Sequence, residues 1–191
     1  MKKIIFSVLF ALVGLIATAK MPARVSAVAK QIGASPAIQV NFLCNGRQSS
    51  MLLGDNGKFA LDLVDVKIYY DGKTQWAYSA ADKEVTIINP TSDELVTGNP
   101  AAILASLGSD FNGTKVKDET YKLTPVKPDG DIREVSVSFP ATGVWPHSMT
   151  IVAAAGTLSV SDMKFTPSKT ARPVSAFQFK VPKGTIVTDL R

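Results

Sequence analysis

The side chains best suited to chemistry in this chain are one cysteine, Cys44, and one histidine, His147. A single cysteine cannot form an internal disulfide or a thiolate zinc cluster, and a single histidine removes most histidine-based metal sites and catalytic dyads. The sequence also lacks a G-x-S-x-G elbow, an H-E-x-x-H motif and a glycine-rich phosphate loop. We therefore expect no catalytic residue, metal or cofactor. A hydrolase that uses serine or aspartate without histidine stays as the enzymatic alternative.

The neighbours of these two residues agree with that expectation. Apolar side chains alternate from Ile38 through Val40 and Phe42 to Cys44, which predicts a half-buried strand with the thiol on its apolar face. An apolar site raises the pKa of a thiol, so an inert buried cysteine fits better than a nucleophile. His147 follows a proline in a segment typical of a loop.

Residues 1–19 have the composition of a secretory signal peptide. Lys2 and Lys3 are followed by an apolar segment of 13 residues, Ile4 to Ile16, and by the A-x-A-like site Ala17-Thr18-Ala19. Thirteen apolar residues are fewer than the roughly 20 that span a bilayer as a helix. We expect cleavage near Ala19 and a soluble mature chain, residues 20–191, that forms a single domain.

The charges are separated along the chain. Without residues 1–19, which hold two lysines and no acid, the formal charge falls from +5 to +3, which is weak evidence for a nucleic-acid partner, and we expect none. Between Asp55 and Glu94 there are eight acids and four lysines, whereas Lys164 to Arg191 holds six bases and one acid. This pattern fits either solvated surface or a polarised face that docks to a charged partner.

Two short helices are predicted. Pro22 suits a first helical position, Val25, Val28 and Ile32 form an apolar stripe, and Gly33 can end the helix. Later, Asn99 can cap a helix that starts at Pro100 and ends near Gly108, with Ile103, Leu104 and Leu107 as its apolar stripe. A helix this short is marginal in water unless its stripe packs on other residues. It either closes a core or covers an apolar cavity.

Period-two alternation dominates the remainder of the chain. It predicts strands around Phe59 and Leu61, around Trp76 and Tyr78, and around Val85, and in these further segments: Val64–Tyr70, Val135–Phe139, Met149–Ile151, Leu158–Val160 and Phe177–Val181. Turn residues such as Asp55-Asn56-Gly57 and Asp71-Gly72 separate them. The fold class is mainly β within α+β: a strongly curved antiparallel sheet or incomplete β-barrel with an N-terminal helix and a short helical lid.

Several of these runs together resemble one family. They are DGKTQWAY from Asp71 to Tyr78, the turn Asp82-Lys83-Glu84, Asn99-Pro100 with its aliphatic helix, and FQFKVPKGTIVTDLR from Phe177 to Arg191. In this order they resemble the periplasmic outer-membrane lipoprotein carriers of the LolA family, over about 50 residues. The missing lipid-anchor cysteine suits the carrier and not its anchored receptor.

The resemblance implies a periplasmic chaperone. Such a carrier holds lipoprotein acyl chains in a hydrophobic cavity, takes them from an inner-membrane ABC-type releasing complex and delivers them to the outer membrane, where a receptor is a further partner. We expect a monomer. The residues predicted for the cavity wall are Val40, Phe42, Phe59, Leu61, Trp76, Tyr78, Val85 and Phe139, and those for the lid are Ile103, Leu104 and Leu107. For each of them an ordinary core position is the alternative.

One feature departs from the family pattern. The family has an Arg-Pro pair before an aromatic strand, and its arginine holds the lid closed. Here the matching stretch contains Lys58 before Phe59, without arginine or proline. An ammonium group lacks the planar five-donor geometry of guanidinium, so Lys58 is only a candidate lid contact and the chain fits a divergent branch.

Other binding functions stay open at this point. The same fold could carry free lipid, or could act as a sensor of mislocalised lipoproteins. Sensors are usually joined to another domain or a membrane span, and the sequence shows neither. A structural envelope protein with a filled core would have no cavity.

Overall fold

The computed structural model describes residues 21–91, 94–95, 100–127 and 130–191. Its helices with defined bounds are α1 (Ala23–Ala34) and α2 (Pro100–Ser106). The strands are β1 (Ala37–Cys44), β2 (Arg47–Gly54), β3 (Phe59–Asp62), β4 (Val66–Tyr70), β5 (Gln75–Ser79), β6 (Glu84–Ile88), β7 (Phe111–Lys117), β8 (Thr120–Pro125), β9 (Ile132–Ser138), β10 (Ser148–Ala153), β11 (Gly156–Ser168) and β12 (Ile186–Asp189).

The described strands form one sheet in the order β12-β6-β5-β4-β3-β2-β1-β11-β10-β9-β8-β7. The sheet consists of two meanders, β1 to β6 and β7 to β11, which join where β1 pairs with β11. All pairs are antiparallel except β12 with β6. Among the described residues, β7 and β12 pair on one side only, so the curved sheet stays open and the predicted incomplete barrel is confirmed.

Strand order explains where the connections run. β6 and β7 lie near opposite edges of the sheet, so the chain between them, which includes α2, must cross from one half to the other. β11 lies mid-sheet while β12 lies beyond β6, so residues 169–185 must also cross the sheet. In the first connection, α2 packs on one face of the sheet, which we call the inner face. In the second, Phe177 and Phe179 pack on the opposite, outer face.

The core lies between the helices and the inner face. Val25 and Val28 of α1 and Ile103 and Leu104 of α2 are buried in one cluster with inward side chains of both meanders, such as Val40. The predicted opening helix is confirmed, although it runs one residue past Gly33. The predicted second helix is confirmed from Pro100, and its cap Asn99 lies outside the described residues.

The hairpin between β1 and β2 shows how local sequence sets register. Asn45 and Gly46 both have positive φ, 48° and 79°, as a two-residue turn of this kind requires. The turn pairs Cys44 with Arg47 and continues to Ala37 with Gly54. It thereby places Val40 and Phe42 on the inner face, as the alternation predicts.

One strand prediction is wrong. Phe177 to Val181 is not part of the sheet: a 3₁₀ turn covers Val174–Phe177, and the following residues are extended without a ladder partner. We call residues 174–182 the strap. Proline at 173 and 182 removes two backbone donors. The alternation still has a physical cause, because Phe177 and Phe179 both face the sheet that the strap crosses.

Candidate functional site

Cross-strand register assigns each predicted cavity residue to a face of the sheet. Residues paired directly across strands point to the same side. Leu61 pairs with Met51 and with Ile68, and Ile68 pairs with Ala77. Because Leu61 belongs to the core under the helices, Ile68 and Ala77 share its inner face.

Most of the predicted wall and lid residues meet in the core. Those that the structure brings together are Val40, Phe42, Phe59, Leu61, Phe139, Ile103, Leu104 and Leu107. All of them are at most 4% exposed. α2 packs on β2, β3 and α1, and a Cβ at Gly108 after it would lie 3.3 Å from Ala29 Cβ in α1. These side chains therefore form the packed base of the inner face.

Trp76, Tyr78 and Val85 lie on the opposite face, which corrects their grouping with the others. Tyr78 pairs with Lys67 and with Val85, and Trp76 pairs with Tyr69, in the row that alternates with the inward residues. Apolar alternation in the sequence shows that one side of a strand is buried, but it does not show which face of the sheet that side belongs to. These three residues lie on the face of the sheet that the strap crosses, and Tyr78 contacts Phe179 of the strap.

The strap is fixed to the outer face by its aromatic side chains. The Phe179 ring stacks on Tyr78 with centroids 4.9 Å apart and lies 5.5 Å from the Tyr69 ring. Gln178 Nε2 donates to Asp71 Oδ2 at 3.1 Å. Phe177 is fully buried against Gly54, where an added Cβ would lie 2.9 Å from ring atom Cε1. Only glycine allows this close approach.

A groove of about 390 Å³ opens between the strap and β4 and β5. Its lining combines three aromatic rings with two lysines: Lys67, Tyr69, Tyr78, Ser175, Ala176, Gln178, Phe179, Lys180 and Pro182. Lys67 is paired with Asp62, which raises the pKa of its ammonium group through their hydrogen bond.

The least covered apolar part of the inner face is on β4 to β6. Val66 is 37% exposed, and its inward neighbours are half-buried: Ile68, Tyr70, Ala77, Thr86 and Ile88. Burial, with the carboxylate of Asp71 adding to it, raises the pKa of the Tyr70 hydroxyl. On the outer side of the same strand β6, by contrast, Val85 is fully buried. The residues on this inward side of β4 to β6 were missed in the sequence because the alternation of Trp76 and Tyr78 is the stronger apolar pattern.

Lys58 contacts the strap side of the sheet. Its Nζ lies 2.7 Å from Asp55 Oδ1 and 5.9 Å from the centre of the Phe177 ring. Among the described residues, neither its ion pair nor its ring contact involves α2. A lid role for Lys58 therefore has no support from this geometry.

Arg24 of α1 is the arginine that fastens a helix to the sheet, and sequence reasoning missed it. Its guanidinium pairs with Glu119 and donates to the backbone oxygens of Pro140 at 2.6 Å and Gly143 at 2.9 Å. It also lies 4.9 Å above the Phe139 ring. Lys115 and Arg24 together lower the pKa of Glu119 to about 2 by donating hydrogen bonds to it. An arginine on the polar side of an amphipathic helix gives no sequence signal for this contact.

Cys44 and His147, the two residues best suited to chemistry, lie in different surroundings. Cys44 is buried on the inner face, and burial raises the pKa of its thiol. His147 is exposed at the start of β10. No helix among the described residues is long and apolar enough to cross a membrane.

Comparisons with known proteins identify the fold. No protein-family model and no curated protein matches the chain. A solved structure of an uncharacterized conserved protein from Thermus thermophilus is similar over 87% of this chain and 97% of its own, with 12% identity and a TM-score of 0.52. This likeness shows a shared fold.

Two further structures are similar at 12% identity. A LolA superfamily protein from Nitrosomonas europaea matches 84% of this chain and 98% of its own, with a TM-score of 0.45. A DUF1329 family protein from Desulfovibrio piger matches 84% of this chain and 100% of its own, with a TM-score of 0.43.

Proposed function

We propose that this protein is a divergent LolA-like carrier that binds the acyl chains of lipoproteins on the inner face of its open sheet. The observation that supports this most is the inward side of β4 to β6, which we call the acyl face. Its half-buried apolar side chains, such as Ile68 and Tyr70, adjoin the buried core under the two helices.

The physical requirement of such a carrier is burial. Moving an acyl chain through water exposes apolar surface at a cost of roughly 0.8 kcal/mol per methylene. An apolar surface that excludes water satisfies this requirement without reactive groups, and no catalytic residue enters the proposal. Ile68, Tyr70 and Ile88 would contact the chain.

Release requires that the covering element can move. α2 has seven residues, a length that is marginal without packing, and Ile103 and Leu104 supply that packing. An acyl chain can compete with these side chains for apolar surface. We therefore assign α2 the role of lid, with α1 as the fixed element held by Arg24.

The proposed pathway follows the family resemblance. After removal of residues 1–19 the chain would work in the periplasm as a monomer. It would receive acylated lipoproteins from an inner-membrane ABC-type complex and pass them to the outer membrane, with a receptor there as a further partner.

The test is to purify the exported protein from its own cell envelope and identify bound molecules by mass spectrometry. Co-purifying acylated proteins would support the carrier. Free phospholipid alone would replace it with a lipid shuttle of the same fold. A protein that carries nothing, and that binds no fluorescent fatty acid when purified, would contradict the proposal.

A further inference from the structure

One end of the sheet exposes an unusual group of apolar side chains. Five of the ten large hydrophobic residues that are exposed among the described residues lie there: Val64 41%, Val66 37%, Val181 41%, Ile186 63% and Val187 50%. Register places Val66 and Ile186 in one row, because Val66 pairs with Ser79, Ser79 with Glu84, and Glu84 with Ile186. Val64 and Val187 lie within two residues of this row in sequence, and Val181 lies between Lys180 and Pro182, which line the groove beside Lys67. We call these five residues the rim. Clusters of exposed apolar side chains mark sites that contact another apolar phase or partner.

The backbone holds part of the rim in a strained conformation. Val64 has φ of 70°, in the left-handed region that β-branched residues avoid. Asp65 N donates to Leu63 O at 2.8 Å around it, which makes a tight three-residue turn of the rare, strained kind. The strain projects a valine into solvent, and strain of this kind concentrates at functional sites.

Three lysines and the carboxylates of Asp65, Asp82 and Glu84 lie near the rim, and Asp65 is paired with Arg47. The turn from Pro182 to Thr185 brings Lys183 beside Lys83, whose backbone oxygen accepts a hydrogen bond from Ile186 N at 2.8 Å. The ammonium groups of Lys83, Lys180 and Lys183 have no ion-pair partner among the described residues. The nearby carboxylates of Asp82 and Glu84 each accept a hydrogen bond from a hydroxyl, at 2.7 Å and 2.9 Å. Exposed lysines beside apolar side chains are typical of surfaces that contact anionic lipid.

The outer groove opens at the same end. Lys67 and Tyr78, which line it, follow Val66 and precede Ser79 directly. Tyrosine side chains favour the boundary between water and acyl chains, because the ring is apolar and the hydroxyl polar. Apolar, lysine and tyrosine side chains thus occur at the same end of the sheet.

We propose that the rim docks this protein onto the surface of a bilayer that contains anionic phospholipid. The five apolar side chains enter the headgroup layer, and Lys83, Lys180 and Lys183 contact lipid phosphates. This inference rests on the proposed function, since a carrier of acyl chains must approach membranes to load and unload. Val66 lies in the end row of the acyl face and Ile186 of β12 extends that row, so a docked rim would let a chain pass without crossing water.

The test uses the mature chain, residues 20–191, in co-sedimentation with vesicles. One set is phosphatidylcholine alone and the other is an equal mixture of phosphatidylcholine and phosphatidylglycerol. We expect binding only to the mixed vesicles, weakened by salt because screening reduces attraction between exposed charges. Replacing Lys83 and Lys183 with glutamine should weaken binding about fivefold for each lysine, which corresponds to ~1 kcal/mol.

Apolar variants have a matched control at the other edge of the sheet. Ile186→Ser with Val187→Ser should abolish sedimentation, whereas Val116→Ser with Val126→Ser, at 63% and 53% exposure, should leave it unchanged. If the β12 pair disturbs that strand, as circular dichroism would show, Val64→Ser with Val181→Ser changes the rim outside the strands. Equal loss in rim and control variants would overturn the proposal, and so would the absence of vesicle binding. Binding to an acidic membrane protein in place of lipid would also overturn it.

The same preparations distinguish failure of the docking proposal from failure of the proposed function. A fluorescent fatty acid is titrated in solution without vesicles. Uptake of the fatty acid without vesicle binding contradicts docking alone. Vesicle binding without uptake contradicts the carrier and leaves docking in place.

Discussion

Ile68 provides the sharpest test of the acyl face at the level of one residue. Ile68→Glu would place a carboxylate on this half-buried surface, and we expect fatty-acid affinity to fall at least roughly tenfold, because a charge in apolar surroundings costs more than ~1.4 kcal/mol. Leu52→Glu is the matched control, since Leu52 is also half-buried but pairs with Gln39 and Ala60 on the outer face. Titration of a fluorescent fatty acid measures both. Equal losses in the two folded variants would contradict the assignment.

Changes at Phe42 or Leu104 would be less informative. Both side chains are at most 2% exposed in the packed core. A glutamate at either position would bury a charge among apolar groups and unfold the domain. The structure thus separates residues that bind from residues that hold the fold.

Glu119 connects the stability of the α1 attachment to pH. Its folded pKa of about 2 is below the ordinary 4.5, so the stabilisation is complete above about pH 4.5 and is lost as pH falls toward about 2. Glu119→Gln should lower stability at neutral pH and reduce the additional loss in that acidic window. Urea unfolding at several pH values measures this.

Asp189 is the control for the Glu119 prediction. Its pKa is also about 2, because Arg191 donates hydrogen bonds to it from two residues away. The unfolded chain can form so local a contact too, so Asp189→Asn should change the acid dependence little. A larger effect at Asp189 than at Glu119 would show that the long-range pair contributes less than we infer.

At the level of elements, the packing of the start of α1 on the sheet depends on one small residue, Gly113. A Cβ at Gly113 of β7 would lie 2.5 Å from Pro22 Cδ and 2.9 Å from Leu123 Cδ2. Gly113→Ala should therefore destabilise the protein by ~1–3 kcal/mol through overpacking, although alanine suits a strand better than glycine. Gly130→Ala, with nothing within 4 Å of the added Cβ, should be neutral or slightly stabilising. If Gly113→Ala left the free energy of unfolding unchanged, α1 would be able to move away from the added methyl group without loss of stability.

The strap shows why a real alternation of apolar and polar residues can lead to a wrong prediction of a strand. Phe177 and Phe179 alternate with polar residues as a strand would, and both face apolar surface. The surface they face is a sheet face, where no backbone ladder forms. An alternating apolar pattern predicts which side chains are buried, but it does not predict which part of the protein covers them.

At the level of the whole molecule, export and processing can be tested directly. We predict that the exported protein has lost residues 1–19 and begins near Lys20. Intact-mass measurement of protein from the cell envelope checks this, and protein kept in the cytoplasm by omission of the export signal serves as control. Retention of residues 1–19, or added acyl mass, would contradict both the processing and the soluble carrier.

The sequence by itself determined much of this protein. Strong alternation predicted the mainly β class and the inward set from Ile38 to Cys44, and helix signals predicted α1 and α2. These features follow from local geometry, because turn residues, prolines and periodicity act over a few residues. The grouping of Phe59, Leu61 and the lid stripe in one core was also predictable, since each is strongly apolar.

Only the tertiary structure decided which face each strand shares with its neighbours. Strand order places β6 and β7 near opposite edges and β11 mid-sheet, so both connections must cross the sheet. Side-chain packing then places α2 on the inner face and the strap on the outer face. That choice separates Trp76, Tyr78 and Val85 from the core and leaves Ile68 on the acyl face. It also joins Arg24 to Glu119 and the rim valines to Ile186. Contacts between residues far apart in sequence depend on how whole strands pair. The local alternation of apolar residues is the same whichever face of the sheet they occupy, so it cannot predict these contacts.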